Sequence, residues 1–312
     1  MSDESAAGGT AMTGGDENPG APLILCENLV KIYKTSDIEV VALQGLDIAI
    51  AEGELMAIIG NSGSGKTTLL NIIGGLDRPS AGTVLVGGRA LLKFTDRELV
   101  AYRRNTVGFV WQNNARNLIP YLSAQENVEL AMLLRSAHGR RERARELLSM
   151  VGLERRSVGR LTELSGGEQQ RVAVAIGLAN NPRILLADEP TGEVDSKTAM
   201  LLLDVFREAR RAYGVTVIIV THDQRVSRKV DRVVAIRDGR TSSELVRRRS
   251  YAEELADMKD GDTHEELAVV DRTGRLQIPR ELLDSLGVKG QVRVELENGR
   301  IVLKPPRGAG KP

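Results

Sequence analysis

The sequence has few of the residues on which whole classes of proteins depend. Its 312 residues include one cysteine, Cys26, and three histidines. A single cysteine cannot form a disulfide within the chain, and Cys26 shows no metal-ligand spacing, so neither a disulfide scaffold nor a cysteine-based metal site is expected. We expect Cys26 to be a small buried hydrophobic residue rather than a thiol nucleophile.

Long apolar runs and an excess of one charge are also missing. No run of about 18 uninterrupted apolar residues occurs, so no segment is expected to span a bilayer, and the acidic, glycine-rich start differs from a secretory signal. The 43 Lys and Arg residues balance 42 Asp and Glu residues, which gives no whole-chain case for binding nucleic acid or an anionic membrane. We expect a soluble, cytoplasmic protein whose membrane role, if it has one, comes through a partner chain.

A glycine-rich stretch matches the G-x-x-x-x-G-K-[ST] phosphate-binding loop. It consists of Gly60, Asn61, Ser62, Gly63, Ser64, Gly65, Lys66 and Thr67. An apolar, strand-like run at 55–59 leads in and a helix-like run at 68–73 leads out. The glycines let successive backbone N–H groups point at one anion, and the helix N-terminus adds its dipole. The pattern predicts a nucleotide site, with Lys66 at the β- and γ-phosphates and Thr67 at Mg²⁺, rather than a plain turn between a strand and a helix.

Residues 22–50 form short alternating runs separated by turn residues. They predict an antiparallel β layer beside the strand that leads into the loop. Tyr33, one of five tyrosines, lies in this segment and has two interpretations. It is either a strand residue half packed on the core or a flat face for an adenine ring.

Polar residues end three further apolar runs of the sequence. They are Gln112, the pair Asp188 and Glu189, and His222. Continuous apolar runs are typical of buried parallel strands, and ligands bind at the carboxyl ends of such strands. The two carboxylates and His222 are therefore expected at the active site. Gln112 is either an ordinary strand-end residue or a sensor that reaches the metal and the attacking water.

Two helical patterns lie between these runs. Residues 122–151 have Arg and Glu at spacings typical of exposed helix faces, which favours a solvated amphipathic helix over contact with RNA or a membrane. A second helix begins after Ser165, which is placed as an N-cap with Glu168 as its capping-box partner. The cap is a complete structural explanation. The functional alternative is a second phosphate site, at which Gly166 and Gly167 allow close backbone approach.

The motifs together resemble those of ABC-transporter ATPases. Along the chain they are the phosphate loop, Gln112, residues 164–171, Asp188-Glu189 and His222. The resemblance covers about Pro22 to Arg240, and residues 74–82 and 187–192 look most like the MacB/LolD-type branch, with the FtsE group close by. It implies an α/β P-loop ABC ATPase domain with a parallel sheet core, an antiparallel β layer and a helical subdomain.

The resemblance also implies the partners and the role of each residue. Two ATP molecules with Mg²⁺ would lie between two copies arranged head to tail, and residues 117–134 would contact a separate membrane permease. The residues implied to contact ATP are the loop residues, Thr68, Tyr33, Ser165, Gly166, Gly167, Glu168 and Asp195. Asp188 would hold Mg²⁺ through water together with Thr67 and Gln112. Glu189 would activate the attacking water, and His222 would contact the γ-phosphate.

The last segment is a separate design. It contains strand-like runs at 267–271 and 274–279, a short helical run at 280–287 and a hairpin around Asn298-Gly299. A unit this small is hard to stabilise alone, so it should either lean on the main domain or pair with its own copy. The runs at 270–279 and 286–290 resemble the AbrB/SpoVT/MazE-like swapped-hairpin family, in which two copies interlock and many members bind DNA. Residues 265–304 contain seven basic and seven acidic residues, without the basic footprint of a DNA-binding protein, so we expect dimerisation rather than DNA binding.

These observations predict the organisation of the chain and two possible functions. We expect a disordered tail at 1–20, an ABC ATPase domain at 21–245, a linker at 246–264, an AbrB-like dimerisation domain at 265–306 and a short tail at 307–312. The first function is an ATP-hydrolysing subunit that drives a separate MacB/LolD/FtsX-type permease at the inner face of the plasma membrane. The alternative is a soluble ABC ATPase with a DNA-binding or regulatory role through the AbrB-like domain.

Overall fold

A computed structural model describes residues 21–34, 38–112, 117–135, 138–192, 194–247, 264–270 and 292–304, with single residues between 274 and 285. It divides the chain into two units, residues 1–267 and 268–312. The tails expected at 1–20 and 307–312, most of the linker expected at 246–264 and most of the short helix expected at 280–287 lie outside the described residues.

The secondary structure of the described residues alternates strands and helices. The strands are β1 Ile24–Lys34, β2 Glu39–Ile50, β3 Leu55–Ile59, β4 Ala81–Val86, β5 Arg89–Ala90, β6 Val107–Val110, β7 Ile184–Asp188, β8 Thr216–Thr221, β9 Arg232–Arg237, β10 Arg240–Arg247, β11 His264–Ala268, β12 Arg293–Glu297 and β13 Arg300–Lys304. The α-helices are α1 Lys66–Ile73, α2 Asp96–Asn105, α3 Ala124–Ala131, α4 Arg140–Met150, α5 Gly166–Leu178 and α6 Ser196–Tyr213.

A seven-stranded sheet forms the centre of the first unit, in the order β11-β10-β9-β3-β8-β7-β6. The strands from β9 to β6 are parallel to their neighbours, and β10 pairs antiparallel with β9. Every residue of β7 and β8 is buried, which explains why their sequences are apolar without alternation. Because the strands are parallel, the residues that follow β3, β8, β7 and β6 meet at one edge of the sheet.

Each face of the central sheet has its own core. Alternate residues such as Val217 and Ile219 of β8 pack with the helices α3 to α6. Their neighbours Ile218 and Val220 pack with α1 and with strands of a second sheet. This second sheet is antiparallel, in the order β2-β1-β4-β5, and it confirms the expected β layer.

The β layer differs from the sequence prediction in one detail. Instead of several short runs, the first part of the segment forms a single strand, β1, which pairs with β2 through several register shifts. Irregularities of this kind keep one strand paired while its direction bends. Cys26 lies in this strand and is completely buried, and burial raises the pKa of its thiol to about 12. A thiol with this pKa is inert at neutral pH, as expected for a structural residue.

The helical pattern at 122–151 belongs to two helices, so the prediction of one continuous helix is wrong. Helix α3 ends at Ala131, and α4 begins after Gly139, whose φ of 73° is left-handed. Glycine takes this conformation without a side-chain penalty. The intervening residues Leu133 and Leu134 are apolar but exposed. The apolar pattern that suggested a helix therefore does not correspond to buried side chains in this segment.

Strands β12 and β13 form the best described part of the second unit. They pair antiparallel from Arg293↔Lys304 to Glu297↔Arg300, and the turn residues Asn298 and Gly299 both have positive φ, as a two-residue hairpin turn requires. The expected hairpin is confirmed. No helix among the described residues is long and apolar enough to cross a membrane.

Candidate active site

The glycine-rich loop lies between β3 and α1 and has no room for side chains at two of its glycines. A Cβ at Gly60 would lie 2.3 Å from the carbonyl oxygen of Ile236, and one at Gly65 would lie 2.4 Å from that of Ala42. Gly65 also has a left-handed φ of 100°. Helix α1 therefore begins without a side-chain cap, and its first N–H groups remain available to an anion.

Lys66 lies inside the loop and is almost completely buried. Its Nζ donates to the carbonyl oxygens of Gly60, at 2.8 Å, and Asn61, at 3.0 Å. An ammonium group has three donors, so these bonds position the charge and leave one N–H for a ligand. The hydroxyl of Ser64 is buried and has no hydrogen-bond partner among the described residues, as expected of a loop whose polar partner is a bound phosphate.

Thr67 and Asp188 bring the loop and strand β7 together. Thr67 Oγ1 donates to Asp188 Oδ1 at 3.1 Å, and Asp188 is the last residue of β7. A hydroxyl and one carboxylate, completed by phosphate oxygens and waters, are the oxygen ligands that Mg²⁺ prefers. The side chains of Thr67 and Asp188 therefore fit a Mg²⁺ site.

Glu189 follows Asp188 with a left-handed φ of 45°, which is uncommon for a residue with a side chain and typical of functional sites. Its Oε2 accepts from Thr221 Oγ1 at 2.9 Å, from the His222 N–H at 3.3 Å, and lies 3.0 Å from His222 Nδ1. Among the described residues, no hydrogen bond reaches Oε1. The carboxylate is thus fixed through one oxygen while the other is available to a water.

The remaining strand-end residues surround this carboxylate. The Glu189 side chain is 14% exposed and the His222 side chain 68% exposed, so His222 lies on the solvent side, where it can meet a bound phosphate. Gln112, which follows β6, is exposed, and its Nε2 would be 3.5 Å from a Cβ at Gly192. Since the Gly192 N–H donates to the Glu189 carbonyl at 3.0 Å, Gln112 lies close to the turn that carries Glu189.

The residues around Ser165 form the capping box predicted from the sequence. The Glu168 N–H donates to Ser165 Oγ at 3.3 Å, and the Ser165 N–H donates to Glu168 Oε2 at 2.8 Å. The backbone hydrogen bond from Ser165 is the main cause of the lowered pKa of Glu168. Ser165 and Gly166 are exposed, and the first two N–H groups of α5 have no partner within the helix.

Gly167 has a structural reason that the sequence did not reveal. A Cβ at this position would lie 2.2 Å from Thr198 Cγ2 in helix α6. Asp195 caps α6 and accepts from the N–H groups of Lys197 and Thr198, and from Thr198 Oγ1 at 2.6 Å. The starts of α5 and α6 are therefore packed against each other within one chain, whereas a Cβ at Gly166 would meet nothing within 4 Å.

Tyr33 lies in β1 and is 39% exposed, so its ring is neither buried in the core nor fully solvated. Its hydroxyl donates to Asp77 Oδ2 at 2.8 Å, and Lys31 Nζ lies 4.7 Å from the ring centroid. Partial burial and the bond to Asp77 raise the pKa of the Tyr33 hydroxyl. An exposed ring fixed at its hydroxyl end can serve as a stacking surface.

Comparison with known proteins agrees with this geometry. A family model described as ABC transporter matches residues 43–192. The ATP-binding cassette MJ0796, in a dimeric post-hydrolysis state bound to ADP and Pi, is 42% identical; the match covers 73% of this chain and 100% of that cassette with a TM-score of 0.65. The chain belongs to the ABC transporter ATPase family. It is accordingly an ATP hydrolase that binds ATP with Mg²⁺.

Two further ABC proteins match over similar lengths. CbiO1 from Clostridium perfringens, part of the CbiONQ transporter complex, is 27% identical, with a TM-score of 0.66 over 76% of this chain and 92% of that one. The ADP conformation of the cassette MJ1267 is 24% identical, with a TM-score of 0.63 over 75% of this chain and 95% of that one. This last match supports the fold of the ABC ATPase alone.

Three residues of the site were not assigned a role from the sequence. Thr221 donates to Glu189, while Lys31 and Asp77 contact Tyr33. Thr221 had a usable signal, because it ends strand β8 directly before His222. Lys31 and Asp77 had none, since they are 46 positions apart and only the folded chain brings them together.

Proposed function

We propose that this ABC ATPase energises a separate membrane permease of the MacB/LolD/FtsX type, and that two copies of the chain form its two ATP sites. In each site, Lys66 and the loop N–H groups would hold the phosphates, and Thr67, Asp188 and Gln112 would hold Mg²⁺. When bound, Mg²⁺ neutralises charge on the β- and γ-phosphate oxygens. The chain then belongs at the inner face of the plasma membrane, where the permease holds it.

Glu189 has the geometry of the residue that accepts a proton from the attacking water. Its Oε2 is held by Thr221 and His222, so Oε1 can face the water while His222 approaches the γ-phosphate. Glu189→Gln keeps the shape but removes the proton acceptor, and we expect turnover to fall by about 10²–10⁴ with ATP binding unchanged. Phosphate release and ATP titration measure the two effects, and retained turnover would refute this assignment.

The observation that carries the two-copy proposal is the exposed start of helix α5. The start of α5 presents the N–H of exposed Gly166 and the positive end of the helix dipole to solvent, while the Ser165 side chain and N–H are hydrogen-bonded to Glu168. Facing the γ-phosphate held by Lys66 of a second copy, it would complete the site, and the dimeric MJ0796 cassettes support that arrangement.

The permease surface is proposed at residues 117–134. Tyr121 and Leu134 are 79% and 83% exposed there, which is unusual for side chains of this size. The Asn117 side chain joins this segment to the strand end, since it accepts from the Trp111 N–H at 2.9 Å and donates to the Trp111 carbonyl at 2.7 Å. A permease bound here would therefore act directly beside Gln112.

Substitution of the exposed leucines tests this surface. Leu133→Ser with Leu134→Ser should leave the basal ATPase rate unchanged but abolish co-purification with, and stimulation by, a co-expressed multi-span permease. Val158→Ser is the matched control, because Val158 is also exposed but lies outside the segment. Unchanged stimulation in the double variant would contradict the assignment.

The AbrB-like dimerisation domain expected at 265–306 is proposed to correspond to the second unit, residues 268–312. On one face of its hairpin, Val294 is paired with Leu303 and Leu296 with Ile301, and Val294, Leu296 and Ile301 are exposed. A two-stranded hairpin is barely stable alone, so a second copy would cover this face. The other face carries both signs of charge, with Lys304 bonded to Glu295 at 2.7 Å.

Such a domain would keep two ATPase domains at a high effective concentration. Two changes test this tether: deletion of 268–312, and Leu296→Asp with Ile301→Asp in the full chain. In each variant the ATPase rate per chain should fall on dilution, while the wild-type rate stays constant. An identical concentration dependence would contradict the tether. A DNA shift that weakens steeply with salt would instead favour the soluble, DNA-binding alternative.

A further inference from the structure

We propose that Lys31 and Asp77 position the Tyr33 ring to receive the nucleobase, and so determine nucleotide affinity from outside the phosphate loop. They act through Tyr33 and are positioning residues. This inference deepens the site proposed above, and it rests on the assignment of Tyr33 to the nucleobase.

The hydroxyl end of the ring is tied to helix α1. Tyr33 Oη donates to Asp77 Oδ2 at 2.8 Å. The Asp77 N–H donates to the Asn71 carbonyl at 3.2 Å, so Asp77 folds back along the helix. Through Asp77, the ring is held by the segment that follows α1, the helix whose N-terminus lies at the phosphate loop.

One face of the ring is occupied by Lys31. Lys31 stands two positions before Tyr33 in β1, and its Nζ lies over the ring, 4.7 Å from the centroid. Its side chain is 12% exposed, compared with 39% for Tyr33. With a cation held on one face, the surface that the ring still exposes is the surface on which a nucleobase can stack.

The charge of this group argues against a role for Lys31 in binding phosphate. Lys31 Nζ donates to Asp77 Oδ1 at 2.6 Å and to the Arg78 carbonyl at 2.8 Å, so its charge is already neutralised. Partial burial raises the pKa of Asp77, but hydrogen bonds from Lys31, Tyr33 and the Arg78 N–H outweigh it and hold that pKa below its usual value. Asp77 therefore stays ionised at neutral pH and keeps both the lysine and the tyrosine in place.

Comparing ADP with inorganic pyrophosphate separates this role from a purely structural one. Only ADP has a nucleobase, and both ligands use the phosphate loop. By calorimetry on the full chain with Mg²⁺, Asp77→Ala should weaken ADP binding by about two- to tenfold, the cost of ordering one side chain, and leave pyrophosphate binding unchanged. Glu39→Ala is the control, because it removes another lysine-paired carboxylate without a bond to Tyr33.

A double-mutant cycle tests whether Asp77 acts through the Tyr33 hydroxyl. Tyr33→Phe keeps the ring and removes the bond, so adding Asp77→Ala should cost less ADP affinity than it does in the wild type. Asp77→Asn retains an acceptor for the hydroxyl but not the charge that holds Lys31, so its loss should be intermediate. Asp77→Asn also replaces Asp77→Ala in the comparison of ADP with pyrophosphate if Asp77→Ala does not fold.

Several outcomes would overturn the proposal. Equal losses for ADP and pyrophosphate would make the Lys31–Asp77 pair a support of α1 alone. Weaker ADP binding in Tyr33→Ala, but not in Asp77→Ala, would mean that the ring needs no positioning. Unchanged ADP binding in Tyr33→Ala would remove the nucleobase assignment and this proposal with it. The phosphate site is judged separately by Lys66→Ala, which must weaken both ligands.

Discussion

Helices α1 and α5 both begin at residues assigned to ATP phosphates, but their first turns are built differently. Helix α1 begins after Gly65 in a left-handed conformation with no side-chain cap. Helix α5 begins after Ser165, which forms a full capping box with Glu168. Its start is locally satisfied in the same way as that of α3, where Ser123 and Glu126 form the same box.

This difference in capping distinguishes the N-terminus of α1, which is proposed to need a ligand, from that of α5, which does not. Buried Ser64 Oγ has no partner in the part of the chain that the structure describes, so a bound phosphate would complete the hydrogen bonding at the start of α1. The start of α5 is stable by itself, and its glycines face in two directions, Gly166 to solvent and Gly167 to Thr198. A helix start that is finished structurally yet exposed suits a surface that meets ATP only when a second copy arrives.

The largest effect is expected at the start of α1. Lys66→Ala removes the one charge inside the loop, along with its bonds to Gly60 and Asn61. Turnover should fall by about 10²–10³, as for the loss of a single electrostatic donor in a dry site. Phosphate release measures it, with Lys34→Ala as the control because Lys34 forms an exposed ion pair with Glu39. Near-normal turnover would contradict the role of the loop.

The two glycines of α5 should respond differently to the same change. Gly167→Ala forces a methyl group against Thr198 Cγ2 and should lower the free energy of unfolding by about 1–3 kcal/mol. Gly166→Ala should change it by no more than about 0.5 kcal/mol. Thr198→Ser removes the clashing methyl but keeps the hydroxyl that bonds Asp195, so it should restore the stability of Gly167→Ala. Urea unfolding measures all three, and equal destabilisation by both glycine variants would be evidence against this packing.

Two equivalent capping boxes separate stability from activity. Ser165→Ala and Ser123→Ala each remove an N-cap and should each cost about 1 kcal/mol of unfolding free energy. Only Ser165→Ala should also lower the ATPase rate, because only α5 is assigned to a phosphate. Denaturant titration and phosphate release on the same preparations decide it. A parallel fall in rate for both variants would reduce Ser165 to a cap.

The smallest effect is expected on the pH dependence of stability in acid. Backbone hydrogen bonds from the serine N-caps hold the pKa of Glu168 and of Glu126 below its usual value. A carboxylate with a lowered folded pKa stabilises the fold above its unfolded value, about 4.3, and this stabilisation is lost as the pH falls through the folded pKa. Glu168→Gln should therefore lose less thermal stability than the wild type between neutral pH and pH of about 3. An identical pH dependence would show that the cap carboxylate is not ionised when folded.

The parts of this fold that sequence could predict are those with local signals. The loop between β3 and α1, the apolar strands β7 and β8 and the turn at Asn298-Gly299 are each specified by adjacent residues. Helix α2 also had a local signal, the capping box of Thr95 and Glu98, but it was not predicted. The start of α6 was likewise marked by its N-cap Asp195.

Other features depend on contacts that no local pattern contains. The glycine at position 167 is explained by Thr198, and the position of the Tyr33 ring by Asp77. The break between α3 and α4 was hidden because Leu133 and Leu134 continue an apolar pattern while lying exposed. Apolar residues at an interaction surface are selected for contact with a partner and not for burial in the core. An apolar pattern therefore does not predict a buried helix face where the chain is proposed to meet a permease.

Cross-linking between two copies tests the central claim most directly. Ser62→Cys marks the exposed loop and Gly166→Cys the exposed start of α5, and buried Cys26 leaves the background unreactive. The two variants, each with one added cysteine, differently tagged and both carrying Glu189→Gln, are co-expressed, purified through both tags and treated with a short bismaleimide with or without ATP. A cross-linked dimer containing both tags, present with ATP and absent without nucleotide, is predicted. Its absence with ATP would contradict a site shared between two copies.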